Sequence, residues 1–195
     1  MNTDLRDRRR RQTAREIQTT ALKLVMDQGL AAVTTDAIAH GAGISTRTFF
    51  NYFPNKQAAL LGPLPVLGAE DSAWLATSDR PVLDDLTAVA RQLVETSPPD
   101  RPTLRMLETM LDQLPDLTCS FRDTLETIAT VIGDHLQRRL GPGSQWQADI
   151  MSHMTMHAFG NATRQWASDD DMPIERIPEM VHEQLVKICE SLSST

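Results

Sequence analysis

TTDAIAHGAGISTRTFFNYFPNK, Thr34 to Lys56, decides how this chain folds. Thr34 stands where a hydroxyl can cap the open N–H groups of a starting helix, and Asp36 suits the positive helix start. Ile38 and Ala39 supply its buried face. Gly41 and Gly43 flank Ala42, so the chain can reverse and two helices can approach closely. Ser45 then caps a second helix, expected over Thr46–Phe53, and Pro54 stops it because its ring cannot continue the ladder. Helix, short glycine-containing turn, helix: the pattern is a helix-turn-helix.

The second helix divides into two faces. Ile44, Phe49 and Phe53 fall on the core side, with Phe49 and Phe53 four apart. Thr46, Arg47, Thr48, Phe50, Asn51 and Tyr52 fall on or beside the other. Each of these has work in a major groove. Arg47 can fork onto guanine O6 and N7, and threonine or aromatic carbon can meet a thymine methyl. Hydroxyls, Asn51 and Lys56 can hold phosphates, which set register without reading sequence. The DNA-facing set is therefore Thr34, Ser45, Thr46, Arg47, Thr48, Phe50, Asn51, Tyr52 and Lys56. The plainer alternative is a solvated helix in an all-α bundle.

With its continuation GISTRTFFNYFPNKQAAL, this stretch resembles the signature of the tetracycline-repressor (TetR) family. The resemblance runs from about Arg15 to Leu60, through Ile17, Ala21, Gly29, Thr34, Ile38, Ala39 and Ala42. One departure is Phe50, where many members carry tyrosine; any hydroxyl–phosphate bond there is absent. The resemblance implies an all-α chain with an N-terminal three-helix helix-turn-helix DNA-binding domain, residues 1–60. A helical effector-binding and dimerisation domain, residues 61–195, follows. It further implies a phosphate contact near Arg15 or Thr19, a small, largely apolar effector, and repression released when that effector binds. Met106, Met110, Phe121, Leu125, Met151, Met154 and Trp166 are candidates for the effector's pocket, although methionines at such positions also serve as ordinary core. The last two helices would pair with a two-fold mate through Trp146, Ile150, His157, Ile177, Val181, Leu185 and Ile188. By residues alone they form a terminal hairpin whose apolar stripe could bury itself within one subunit. A palindromic site requires two heads, so a homodimer on double-stranded DNA is also what the chemistry asks for.

Composition is that of a globular protein: 195 residues, 41% hydrophobic and 23% charged. No apolar run approaches the ~20 residues needed to cross a bilayer, and the arginine-rich start has no apolar stretch after it. No membrane is expected as a partner, and the expected location is cytoplasmic. Cys119 and Cys189 fit no metal spacing and are expected to be buried thiols. The net charge of −7 hides a division. Residues 1–60 sum to +4 and residues 61–195 to −11. Local phosphate contacts, not whole-chain charge, govern nucleic-acid affinity.

Residues 1–8 are expected as a tail leading into Arg8-Arg9-Arg10-Arg11, which could track a phosphate backbone or simply stay solvated. The first helix is expected over Arg9–Gln28, with Gly29 as its stop. Lys56 opens the fourth helix, and Gly62-Pro63-Leu64-Pro65 should break it after about one turn. Family members usually continue there as one linking helix, so a rigid swinging rod is not expected here. Amphipathic helices follow over Pro81–Thr96, Pro102–Leu114, Leu117–Leu140, Gln145–Trp166 and Ile177–Leu192, with an acidic loop at Ser168–Pro173.

His153 and His157 stand four apart, yet no carboxylate or cysteine completes a recognised metal set, and Asp169-Asp170-Asp171 lacks an EF-hand's spacing. No phosphate loop, nucleophile elbow or CxxC pair occurs, so neither metal, cofactor nor catalysis is expected. Two alternatives stay open. One is a constitutive or partner-controlled regulator without a small-molecule ligand. The other is a helical small-molecule-binding protein or enzyme with a vestigial helix-turn-helix.

Overall fold

The computed structural model describes residues 2–65 and 67–193, the side chains of residues 2–5, 7 and 8 excepted. Every regular element among them is helical. These are α1 Asn2–Gln28, α2 Thr35–Gly41, α3 Thr46–Phe50, α4 Lys56–Leu61 and α5 Val82–Thr96. Then come α6 Arg101–Gln113, α7 Pro115–Leu140, α8 Gln145–Ser168 and α9 Arg176–Ser193, with a single 3-10 turn at Ala73–Ala76.

Two helix boundaries and the burial of the cysteines differ from the sequence expectation for physical reasons. α1 starts at Asn2 rather than Arg9: neither glycine nor proline occurs before Gly29, so nothing stops the helix from propagating outward. The Met1 end of the expected tail and the Arg8 side chain lie outside the described residues. α3 ends at Phe50, not Phe53, with Asn51 as its C-cap. A helix continued to Pro54 would drive the proline ring into the Phe50 carbonyl. Cys119 and Cys189 are exposed, contrary to expectation, because each lies on the outer face of its helix. The expected break after α4 does occur, at Gly62 with φ +69°.

The chain forms two compact units. The first is Met1–Leu64 with Pro102–Phe121, so it takes in α6 and the first turns of α7 and extends beyond the expected boundary at residue 60. Its core holds Ile17, Leu22, Ile38, Phe49 and Leu60, joined by Leu107, Met110 and Leu117. The Thr19 and Thr103 hydroxyls hydrogen-bond across it at 3.1 Å. At the end of α4, the buried Gln18 amide donates to the Leu60 carbonyl at 3.2 Å and the Leu61 carbonyl at 2.8 Å. These carbonyls have no partner within the helix, and Gln18 supplies one. A Cβ at Gly62 would run into that same amide.

The second unit is Pro65–Arg101 with Arg122–Thr195, where α9 packs on α5 and α8. Ile128, Ile132, Leu136, Val89, Leu93, Phe159, Ile177 and Val181 are all buried. Arg101 closes the C-terminal end of α8. Its guanidinium donates to the Trp166, Asp170 and Met172 carbonyls at 3.1, 2.8 and 2.6 Å and lies 4.2 Å from the Trp166 ring centroid. A cation there also suits the negative end of the helix. The acidic loop is thus a turn wrapped around one arginine.

Asp85, in the first turn of α5, is fully buried between Arg80 and Arg139, with Arg139 Nη1 2.6 Å from its Oδ2. Burial alone would raise its carboxyl. Hydrogen bonds from Ser78, Arg139 and Arg80, with the Arg80 charge, hold it below its usual range instead. A lowered folded pKa means that the stabilisation is fully present above the ordinary value near ~3.9. It is lost as pH falls through the folded value. Urea midpoints should therefore drop steeply below about pH 4. Asp85→Asn should lose about 3 kcal/mol at neutral pH and flatten that acid limb. An Asp85→Asn protein with the same acid limb would remove this carboxylate from the pH dependence.

Candidate nucleic-acid interface

A helix of five residues cannot hold itself, so α3 must be fixed by its ends and by one buried side. Its N-terminal end is fixed by Ser45, whose Oγ accepts the Thr48 N–H at 3.0 Å and lies 2.8 Å from the Thr48 hydroxyl. Its buried side is Phe49, fully enclosed, with Phe53 beside it at 6.2 Å between ring centroids. Phe50 crosses Phe49 edge-on at 5.4 Å and is itself 53% exposed. A solvent-facing phenylalanine is thus held by a buried one.

α2 is fixed in the same way. Thr34 Oγ1 accepts the Ala37 N–H at 3.1 Å and keeps its own O–H available to donate. In the turn, the Ala42, Gly43 and Ile44 N–H groups return to Ile38, His40 and Ala39 carbonyls at 2.9, 3.0 and 2.9 Å. Gly43 takes φ +69°, which an L side chain rarely adopts. Thr46 then ties the two helix starts together, its hydroxyl donating to Asp36 Oδ1 at 2.6 Å. That proton points into the fold, so Thr46 offers a partner only its methyl and its oxygen lone pairs.

Outward from this frame face Arg47, Phe50 and Asn51, all exposed, with Thr48 half-buried beside them. Arg47 is unpaired among the described residues. Tyr52 is half-buried, and its ring lies 5.0 Å from the Arg10 guanidinium. Arg10 also donates to the Asn51 carbonyl at 3.1 Å. It thereby supplies a charge and a donor at the C-terminal end of α3. Sequence reading gave Arg10 no such role; the contact joins residues 41 apart and leaves no local signal.

Lys56 is placed differently from its expected role on a phosphate. Its ammonium donates to the Leu30 carbonyl at 2.6 Å and the Val33 carbonyl at 2.9 Å, pinning the loop between α1 and α2. An ammonium has three donors, so one remains. Hydrogen bonds to a charged group contribute about 1.5–3 kcal/mol each. Lys56→Met should thus cost about 3 kcal/mol or more in a urea titration and weaken binding to every duplex alike. An unchanged urea midpoint would show those two bonds to have no energetic weight.

The residues expected for an effector fall in both units. Met110 is buried in the first unit's core and Met106 and Phe121 pack against it. Leu125, Met151, Met154 and Trp166 belong to the second unit, where Trp166 is buried and its Nε1 meets no acceptor among the described residues. The expected dimer set also divides. Trp146, Ile150 and Ile188 are 63, 50 and 37% exposed, and His157 is exposed. Ile177, Val181 and Leu185 lie inside the subunit, because α9 turns that stripe toward α5 and α8. Leu192, 77% exposed, extends the outer face and was not among the expected residues.

The two histidines stand on the outer side of α8. His153 places Nδ1 2.7 Å from the Asp149 carbonyl and Nε2 2.8 Å from Glu126. Those two acceptors raise its pKa, since both favour the doubly protonated ring.

Residues 17–61 match the family described as bacterial regulatory proteins, tetR family. Curated relatives include the HTH-type transcriptional regulator EthR of Mycobacterium tuberculosis. It is 41% identical over 70 residues, which are 35% of this chain and 32% of EthR. EthR of Mycolicibacterium smegmatis is 41% identical over 59 residues, 30% of this chain and 27% of that one. The matched stretch thus spans about a third of the length of these relatives. Among solved structures, a TetR-family regulator from Mesorhizobium loti aligns with 92% of this chain and 96% of its own. The TM-score is 0.46 at 14% identity, too loose to equate the two folds. FadR of Thermus thermophilus, solved with lauroyl-CoA, aligns with 88% of this chain and 91% of its own at a TM-score of 0.33 and 21% identity.

Proposed function

We propose that this chain, which belongs to the tetR family of bacterial regulatory proteins through residues 17–61, reads a palindromic duplex as a homodimer and represses transcription there. The observation that carries the reading is the outward group Arg47, Phe50 and Asn51 on a helix fixed by Ser45 and Phe49. Arg47 addresses guanine, and Phe50 with the Thr46 and Thr48 methyls addresses thymine methyl groups. Thr34, with a free O–H, and Tyr52 hold phosphates; Lys56 braces the loop beside Thr34 and keeps one donor for the same backbone. Two heads meet successive major grooves about 34 Å apart.

The mate is expected on the outer face of α8 and α9. Trp146, Ile150, Ile188 and Leu192 leave more apolar surface in water there than a lone subunit gains from. A small, largely apolar effector would act by binding the two conformations of the dimer unequally, since equal affinity shifts nothing. The unpartnered Trp166 N–H supports an effector that carries one hydrogen-bond acceptor. The early end of α4 at Gly62 favours the alternative of a regulator without a ligand.

On a duplex selected from a random pool, Arg47→Ala should lose about 30-fold or more in affinity, the ~1–3 kcal/mol of one bidentate base contact in each of two heads, while binding to random duplex barely changes. Equal losses on both would contradict base reading by Arg47. In the same preparation, light scattering should give twice the chain mass for the parent and the single-chain mass for Ile150→Glu.

A further inference from the structure

The positive charge of the head does not lie on its reading helix. Residues 1–16 contain six arginines against three carboxylates, a net +3. Residues 17–60 contain three Lys/Arg and two carboxylates, a net +1. Of those three cations, Lys56 is engaged with the Leu30 and Val33 carbonyls, which leaves Lys23 and Arg47. Affinity for a duplex follows the number of phosphates neutralised. A head with a single outward cation on its recognition helix therefore needs a second source of charge.

α1 supplies one at a defined place. Ala14 is the first core residue of α1 among those whose side chains are described, and Arg10 and Arg6 lie one and two turns before it at spacings of four, near one face of the helix. Arg10 is held on the Asn51 carbonyl and over the Tyr52 ring, at the C-terminal end of α3. The face that packs in the head thus passes beside the end of α3, and Arg6 stands one turn beyond. Arg9, three from Arg6, stands next to it. Both are exposed.

We propose that Arg6 and Arg9 form a second DNA contact, gripping the backbone phosphates that flank the bases facing α3, with Arg10 the positioning residue that holds α1 beside that helix. The proposal rests on the DNA reading above and extends it to a flank that base reading alone does not require. A guanidinium fork matches a phosphate, and a helix carrying two of them loses less freedom on binding than a tail would. The same anionic potential is offered by a narrow minor groove, so the flank sequence separates the two sources.

The test uses the full chain and its Arg6→Gln/Arg9→Gln variant, titrated by fluorescence anisotropy from about 50 to 200 mM salt, the range over which phosphate contacts dominate affinity. The slope of log affinity against log salt should fall by about 3.6, at ~0.9 for each of the four phosphates lost by the two heads. Base preference and thermal midpoint should stay as in the parent. Lengthening the selected duplex by one half-turn at each end should tighten the parent and not the variant. Exchanging those flanks between A·T and G·C should leave the parent unchanged; a response to the exchange would move the contact from phosphate to minor groove and overturn that part of the proposal. Equal salt slopes for parent and variant would overturn the proposal altogether. Failure of the underlying reading is a different result: a parent with no preference for any sequence, whose salt slope on random duplex still reports on Arg6 and Arg9.

Discussion

The outward side chains of this head depend on one constraint: a helix of five residues must be held entirely by what surrounds it. Nucleation alone costs more than so short a ladder returns. Phe49 supplies the apolar anchor, Ser45 satisfies the N-terminal donors, Thr46 ties the start to Asp36, and Arg10 takes up the Asn51 carbonyl at the far end. Four different interactions act on seven consecutive residues. Arg47, Phe50 and Asn51 are left facing water because every neighbouring group is already engaged in holding the backbone. A side chain presented in this way loses little freedom when it meets a partner, which is what preorganised recognition requires.

The same division of labour recurs around the helix. Lys56, at the start of α4, braces the loop that ends in the Thr34 cap, and Gln18 closes the end of α4 from within the core. α4 is therefore bounded at both ends by contacts inside the first unit. It is too short to be a lever in its own right. Leu107, Met110 and Leu117 enter the same core, so α6 and the first turns of α7 are part of what holds the head. Any signal that reaches α3 from these helices would pass through packed side chains, where two arrangements exchange rather than bend.

The helix-turn-helix was legible in the sequence because its determinants are local. Caps at Thr34 and Ser45, the glycines of the turn and the stop at Pro54 each act within four residues. The break at Gly62 was legible for the same reason. What could not be read was the partner of each helix face. The stripe of α9 is the same whether it meets a mate or its own subunit, and only tertiary packing turned Ile177, Val181 and Leu185 inward. Lys56 was given only a phosphate to hold because its two carbonyl partners lie 26 and 23 residues away, and Met110 stayed open between pocket lining and core because its helix gives no sign of the core it joins. The exposed cysteines show the limit of residue-type averages: each sits on an outward helix face, and position overrides preference.

The most direct measurement is selection of bound duplexes from a random pool by the full chain at near-physiological salt. If α3 reads bases from a two-headed particle, an inverted repeat should be enriched, with half-sites about one helical turn apart or somewhat more. A pool that returns without enrichment, bound only in proportion to falling salt, would contradict base reading and leave the head as a non-specific cationic contact.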